Sequence, residues 1–201
     1  MLPTDNFDKI LPEKQQIVLN AALTCFGRSG YKRTAMSEIA IGAGISKASL
    51  FHYFNTKKEL FIYLYRYACD EILAEMVAGT EDLIECVRLG AQIKIRVMKK
   101  HPGMYDFLLS LVTETDGALL EELKQINNGK VERGMALLFC NVDWSRFREG
   151  LDRTTAMNLL SWVSEGCIKK YSATKSWNEL TAEIDRYMGI MKNVLYKEAY
   201  Q

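Results

Sequence analysis

Apolar residues recur at spacings of three and four along almost the whole chain, and no useful run of strict two-residue alternation interrupts them. Ile17, Val18, Ala21, Ala22, Cys25 and Phe26 make the first such stripe. Pro12-Glu13-Lys14 opens it, with proline suited to the first turn and an acid at the positive helix end, and Gly30 closes it. Residues 1–11 read as a polar, proline-containing leader. Met36, Ile39, Ala40 and Ala43 form a second stripe, with Thr34 as its expected N-cap and Gly44 free to take the positive φ that ends it. Ser46 caps a third helix, in which Leu50 and Phe54 share one face while Lys47, Ala48, Phe51 and His52 gather on the other. One face is core and the other is presented. Thr56 and Glu59 then spell a capping box ahead of Leu60, Phe61 and Leu64, and that helix is expected to continue through Tyr65, Cys69, Ile72 and Met76.

Beyond Gly79 the pattern predicts helices near 81–100, 103–114, 118–139, 151–173 and 177–198. The expected breaks fall at Pro102-Gly103, Asp116-Gly117, Asn127-Asn128-Gly129, 141–150 and 172–176. The last two helices carry wide apolar arcs, including Met157, Leu160, Val163 and Ile168 in one and Ile184, Met188, Met191 and Leu195 in the other. Such arcs can close the chain's own core or face a second copy of it. Met98, Met104, Tyr105, Leu108 and Trp162, with Tyr65 and Cys69 of the linking helix, could line a cavity for a largely apolar small molecule, or could simply be packed core.

Composition narrows the class. The 201 residues are 48% hydrophobic and 25% charged with 3 prolines, which suits a globular helical protein. A net charge of +1 gives no general argument for nucleic acid, so the distribution matters. Within residues 31–58, Lys32, Arg33, Lys47, Lys57 and Lys58 face a single acid, Glu38. A presented helix face with a cation, a small residue, an aromatic and a histidine suits the major groove, where cations meet phosphates and apolar groups meet thymine methyls. The cysteines, Cys25, Cys69, Cys86, Cys140 and Cys167, are scattered and never in Cys-x-x-Cys pairs, which argues against a disulfide framework or a zinc site. The start has neither a basic segment nor an apolar one, and the longest apolar runs are too short for a bilayer, so a reducing cytoplasm is expected.

Helix, glycine turn and short helix together form the helix-turn-helix pattern, and at this point the chain resembles the tetracycline-repressor (TetR) family. The residues that carry the resemblance are Thr34, Met36, Glu38-Ile39-Ala40, Ala43-Gly44-Ile45-Ser46, Phe51-His52-Tyr53-Phe54 and Lys58-Glu59-Leu60. It covers about residues 13 to 65 at motif level. Two positions depart from the pattern, Ala48 where glycine is frequent and Phe51 where tyrosine is common, and Phe51 has no hydroxyl to give a phosphate. The resemblance implies Lys32, Arg33 and Thr34 near the DNA backbone, and pairing of the last two helices with those of a second subunit. Combined with the presented face, it places Lys47, Ala48, Phe51 and His52 on bases and Thr34, Ser49, Tyr53 and Lys57 on phosphates.

Catalytic chemistry finds little support. The two histidines, His52 and His101, exclude a His-rich metal site. The Ser-x-x-Lys sequences at Ser29 and Ser172 lack partner motifs, and Gly42-Ala43-Gly44 is not a dinucleotide loop. The sequence therefore predicts an all-α non-enzyme without cofactor or metal. Residues 1–55 would form a three-helix DNA-binding domain, and 56–201 a helical ligand-binding and dimerisation domain. Expected partners are operator duplex, a small mainly apolar effector and a second copy. A helical DNA-binding protein without a ligand switch is the alternative.

Overall fold

A computed structural model describes residues 4–171 and 176–201. Within them the chain is all-α: α1 (Thr4–Phe7), α2 (Pro12–Arg33), α3 (Met36–Gly42), α4 (Lys47–Tyr53), α5 (Lys57–Ala74), α6 (Leu83–Lys100), α7 (Met104–Ser110), α8 (Gly117–Phe139), α9 (Arg153–Tyr171) and α10 (Trp177–Leu195). These follow the apolar periodicity closely, with two differences. Asn127-Asn128-Gly129, expected as a break, lies inside α8, where neighbouring turns hold the backbone helical. The expected leader contains α1, and Phe7 is fully buried against Tyr53, Phe54 and Tyr63. A lone aromatic produces no periodic signal, so its burial was invisible in the pattern. The break expected at 172–176 falls largely outside the described residues, as does the Ile168 side chain.

The chain divides into two compact units. The first comprises residues up to Ala74 together with Val97–Glu132. Its core joins Val18, Leu23 and Phe26 of α2, Ile39 of α3, Leu50 of α4, Leu60, Phe61 and Leu64 of α5, and Met104 and Phe107 of α7. Phe26, Phe61 and Phe107 meet edge-on or tilted at centroid distances of 4.9–6.5 Å, geometry that adds to simple area burial. Helices α2 and α7 approach so closely that a Cβ on Gly27 would stand 2.8 Å from both Asp106 Cβ and Phe107 N.

The second unit comprises Glu75–Arg96 and Arg133–Gln201. Leu83, Ile84, Leu138, Phe147, Leu160, Ile184, Met188, Leu195 and Tyr196 make its core. Buried Asp82 ties the chain end to the start of α6, accepting from the Tyr196 hydroxyl at 2.8 Å and pairing with Lys192 at 3.0 Å. Burial alone would raise the Asp82 pKa, but the bonds from Lys192 and Tyr196 and a backbone amide bring it below the ordinary value. Cys86 and Cys167 are buried here and Cys25 in the first unit, where they act as small hydrophobes.

Candidate nucleic-acid interface

The reading head is built around a short turn. Helix α3 ends at Gly42 with Ala43 as its C-cap, Gly44 takes φ +66°, and Gly44 N and Ile45 N donate back to Ile41 O and Ala40 O at 3.1 and 3.0 Å. Helix α4 then begins under its N-cap, with Ser46 Oγ accepting from Ser49 N at 2.9 Å. Leu50 and Phe54 are fully buried, whereas Lys47, Ala48, Phe51 and His52 are exposed. Exposure of Phe51 costs hydration, and Lys47 Nζ covers its ring from 5.8 Å. Ser49 and Tyr53 are half-buried at the flanks, Tyr53 leaning on Phe7 at 5.6 Å.

Charges around α4 leave Lys32, Arg33 and Lys47 without an acidic partner among the described residues. Glu38 is paired with Arg28, so the single acid of this stretch is neutralised. Lys58 is drawn to Glu122 at 2.7 Å, a bond that raises its pKa and directs it away from α4's partners. Lys32 and Arg33 remain exposed at the end of α2, each with one neutral partner, Thr115 Oγ1 and Ser29 O. The capping box forms as expected, Glu59 N donating to Thr56 Oγ1 and Asn55 N to Glu59 Oε2, both at 3.1 Å.

Two expected phosphate contacts take other roles. Thr34 neither caps α3, whose N-cap is Ala35, nor reaches the surface. Gly30 kinks α2 at φ +74°, which turns Thr34 back so that its hydroxyl lies 2.7 Å from Gly30 O and 3.1 Å from Cys25 O. Lys57 is a clasp across the end of α2, donating to Lys32 O and Thr34 O at 3.1 Å and lying 4.7 Å over the Tyr31 ring. Tyr31 and Phe7 thus support the site, and the sequence offers no local signal for either.

The residues expected to line a ligand cavity are dispersed. Met104, Tyr105 and Tyr65 are buried in the first unit and Cys69, Met98 and Leu108 half-buried there. Burial pushes up the Tyr65 phenol and, at Cys69, the thiol. Trp162 is 63% exposed on α9. Two residues beyond buried Leu160, it falls on nearly the opposite helix face, against a shallow groove with Tyr187. The second unit instead holds a cavity of about 170 Å³, walled mainly by Val87, Ala91, Leu138, Phe139, Met157, Leu160 and Ile184, with Lys94 among its few polar residues.

The residues expected at a dimer interface divide by burial. Leu160, Ile184, Met188 and Leu195 are buried in their own subunit's core, with Met157, Val163 and Met191 packed half-buried against it. Among the described residues of the last two helices, the exposed large apolar ones are Trp162, Ile190 and Val194. Among the described residues no group of three or more His, Cys, Asp or Glu could hold a metal, and no helix is long and apolar enough to cross a membrane.

Residues 18–64 match the model for bacterial regulatory proteins of the tetR family. The HTH-type transcriptional regulator RutR of Escherichia coli K12 is 31% identical over 101 residues, 49% of this chain and 48% of RutR. That match therefore spans about half the length of the relative. The HTH-type transcriptional repressor AcnR of Corynebacterium glutamicum is 26% identical over 194 residues, covering 92% of this chain and 95% of AcnR. The transcriptional regulator FadR of Bacillus subtilis, solved with stearoyl-CoA, superposes with a TM-score of 0.65 at 15% identity, over 87% of this chain and 95% of FadR, a likeness of fold.

Proposed function

Because the chain belongs to the tetR family of bacterial regulatory proteins, we propose that it is a transcriptional repressor which binds a pseudo-palindromic operator as a homodimer and is released by a small, mainly apolar effector. Residues 1–55 read the DNA, and 56–201 bind effector and partner. The observation that carries this reading is α4: buried Leu50 and Phe54 fix it from behind, and Lys47, Ala48, Phe51 and His52 stand outward, exposed. Phosphate contacts fall to Lys32, Arg33, Ser49 and Tyr53, with Lys57 acting by holding the end of α2 in place.

Selection from randomised duplexes should enrich one inverted repeat. Phe51→Ala should then lose about 1–3 kcal/mol and relax preference at one base step, while Lys32→Ala should weaken all sequences alike and reduce the salt dependence by about one counterion. Equal affinity of the wild type for every duplex sinks the reading.

One seven-residue recognition helix covers too few base pairs for useful specificity, which is the argument for a dimer. We place its contacts on Trp162, Ile190 and Val194, large apolar residues exposed on α9 and α10. Val194→Asp should therefore yield folded monomers with weakened operator binding. Sedimentation that finds the wild type monomeric at micromolar concentration overturns this part. For the effector, the cavity of the second unit supports the reading, and FadR, a protein of like fold, was solved in complex with stearoyl-CoA. Operator and effector must weaken each other by one common factor, typically about 5–150-fold.

A further inference from the structure

Lys94 is out of keeping with the cavity it lines. Its neighbours there include Val87, Leu138, Met157 and Ile184. Among the described residues it makes no hydrogen bond and no ion pair. Its surface remains accessible because the cavity opens to water, yet the atoms around the ammonium strip enough hydration to lower its pKa, opposed only by the charge of Glu165. Glu165 lines the same cavity, its Oε1 accepting from the hydroxyl of Ser161, another lining residue, at 2.9 Å. The site thus holds a lysine without a direct partner, open to water on one side, at the wall of a largely apolar chamber that Ser161, Ser164 and Glu165 also line.

We propose that this cavity takes a small carboxylic acid, with Lys94 pairing the carboxylate and the apolar walls enclosing a body no larger than one aromatic ring or a short alkyl chain. The inference rests on the cavity being the effector site and names the class of effector. A carboxylate supplies the charge-assisted bond that Lys94 lacks, whereas a neutral ligand leaves the cation uncompensated and an amine meets it with like charge. Glu165 beside the site favours a single negative charge over a phosphate's two. Size follows from volume: about 170 Å³ is little more than the roughly 150 Å³ chamber that accommodates benzene, and a long acyl chain does not fit.

Calorimetric titration of the full chain, without DNA, compares phenylacetate with phenylacetamide and octanoate with octanamide. In at least one pair the acid should bind about ten-fold or more tightly than its amide. Lys94→Met should remove that preference while leaving amide affinity equal or improved, and Lys94→Arg should retain it. Thermal unfolding checks that the variants are folded, and Lys94→Gln replaces Lys94→Met if that one is not. The proposal is overturned if neither acid binds, if acid and amide bind alike, or if the preference survives in Lys94→Met. Operator binding is measured separately. Its presence without acid binding overturns this inference alone, and acid binding without operator recognition overturns the repressor reading alone.

Discussion

Phe54→Ala should destabilise the first unit by about 3–5 kcal/mol and take sequence-specific DNA binding with it. Phe54 is fully buried, and its ring lies 4.9 Å from Phe7 and 5.3 Å from Tyr63. Its amide closes α4 by donating to Leu50 O at 2.9 Å. Truncation therefore opens a void where the leader, the recognition helix and α5 meet. The first turn of α4 keeps its Ser46 cap, but a seven-residue helix cannot hold itself in water without tertiary packing. Urea unfolding measures the loss, and Phe54→Leu, which refills most of the space, should cost much less. A cost below about 1 kcal/mol for the alanine variant would show that Phe54 is not the anchor described.

Gly27→Ala should also destabilise, by about 1–3 kcal/mol, against the ordinary rule for helices. In an open helix interior the same change gains roughly 1 kcal/mol, because glycine surrenders more backbone freedom on folding. Here the added methyl would stand 2.8 Å from Asp106 Cβ and from the Phe107 amide nitrogen, and backbone cannot swing aside as a side-chain tip can. The seam has a second tight point, where a Cβ on Gly103 would meet Thr24 N at 2.8 Å. Forcing α2 from α7 moves the helix that ends in Lys32 and Arg33, so operator affinity should fall along with stability. Gly166→Ala on α9, which has nothing within 4 Å of the added carbon, is the control and should be neutral or stabilising. Equal effects of the two substitutions on the melting temperature would remove the steric argument.

The parts that sequence reveals are those whose cause is local. The presented face of α4 follows from residue spacing alone, because only a helix brings Leu50 and Phe54 together and leaves Lys47, Ala48, Phe51 and His52 opposite. The glycine turn and the caps at Ser46 and Thr56 are equally local. Thr34 was misread because its fate depends on the kink at Gly30, four residues earlier, which turns its hydroxyl into α2. The clasp that Lys57 makes was not legible because its carbonyl partners belong to a different helix end. On α9 and α10 a wide apolar arc has two possible customers, its own core and another subunit, and periodicity does not distinguish them. Met188 illustrates the consequence: fully buried, it would report folding if charged, whereas exposed Val194 can report association. Lys94 escaped notice because a single lysine on an amphipathic helix is ordinary until the walls around it are seen.

Phe7 has a practical bearing on how the protein is handled. The aromatic that wedges beneath Tyr53 and Phe54 reaches them from a four-residue helix near the beginning of the chain, held by Gln15 Nε2 donating to Phe7 O and Tyr63 donating to Asp8. Trimming back to the first long helix at Pro12, grafting a rigid fusion partner onto that edge, or allowing a protease to nick at Lys9 would each loosen the prop under the recognition helix from behind. A preparation altered in this way could retain its helical content and still read DNA poorly, so purification handles belong at the other end.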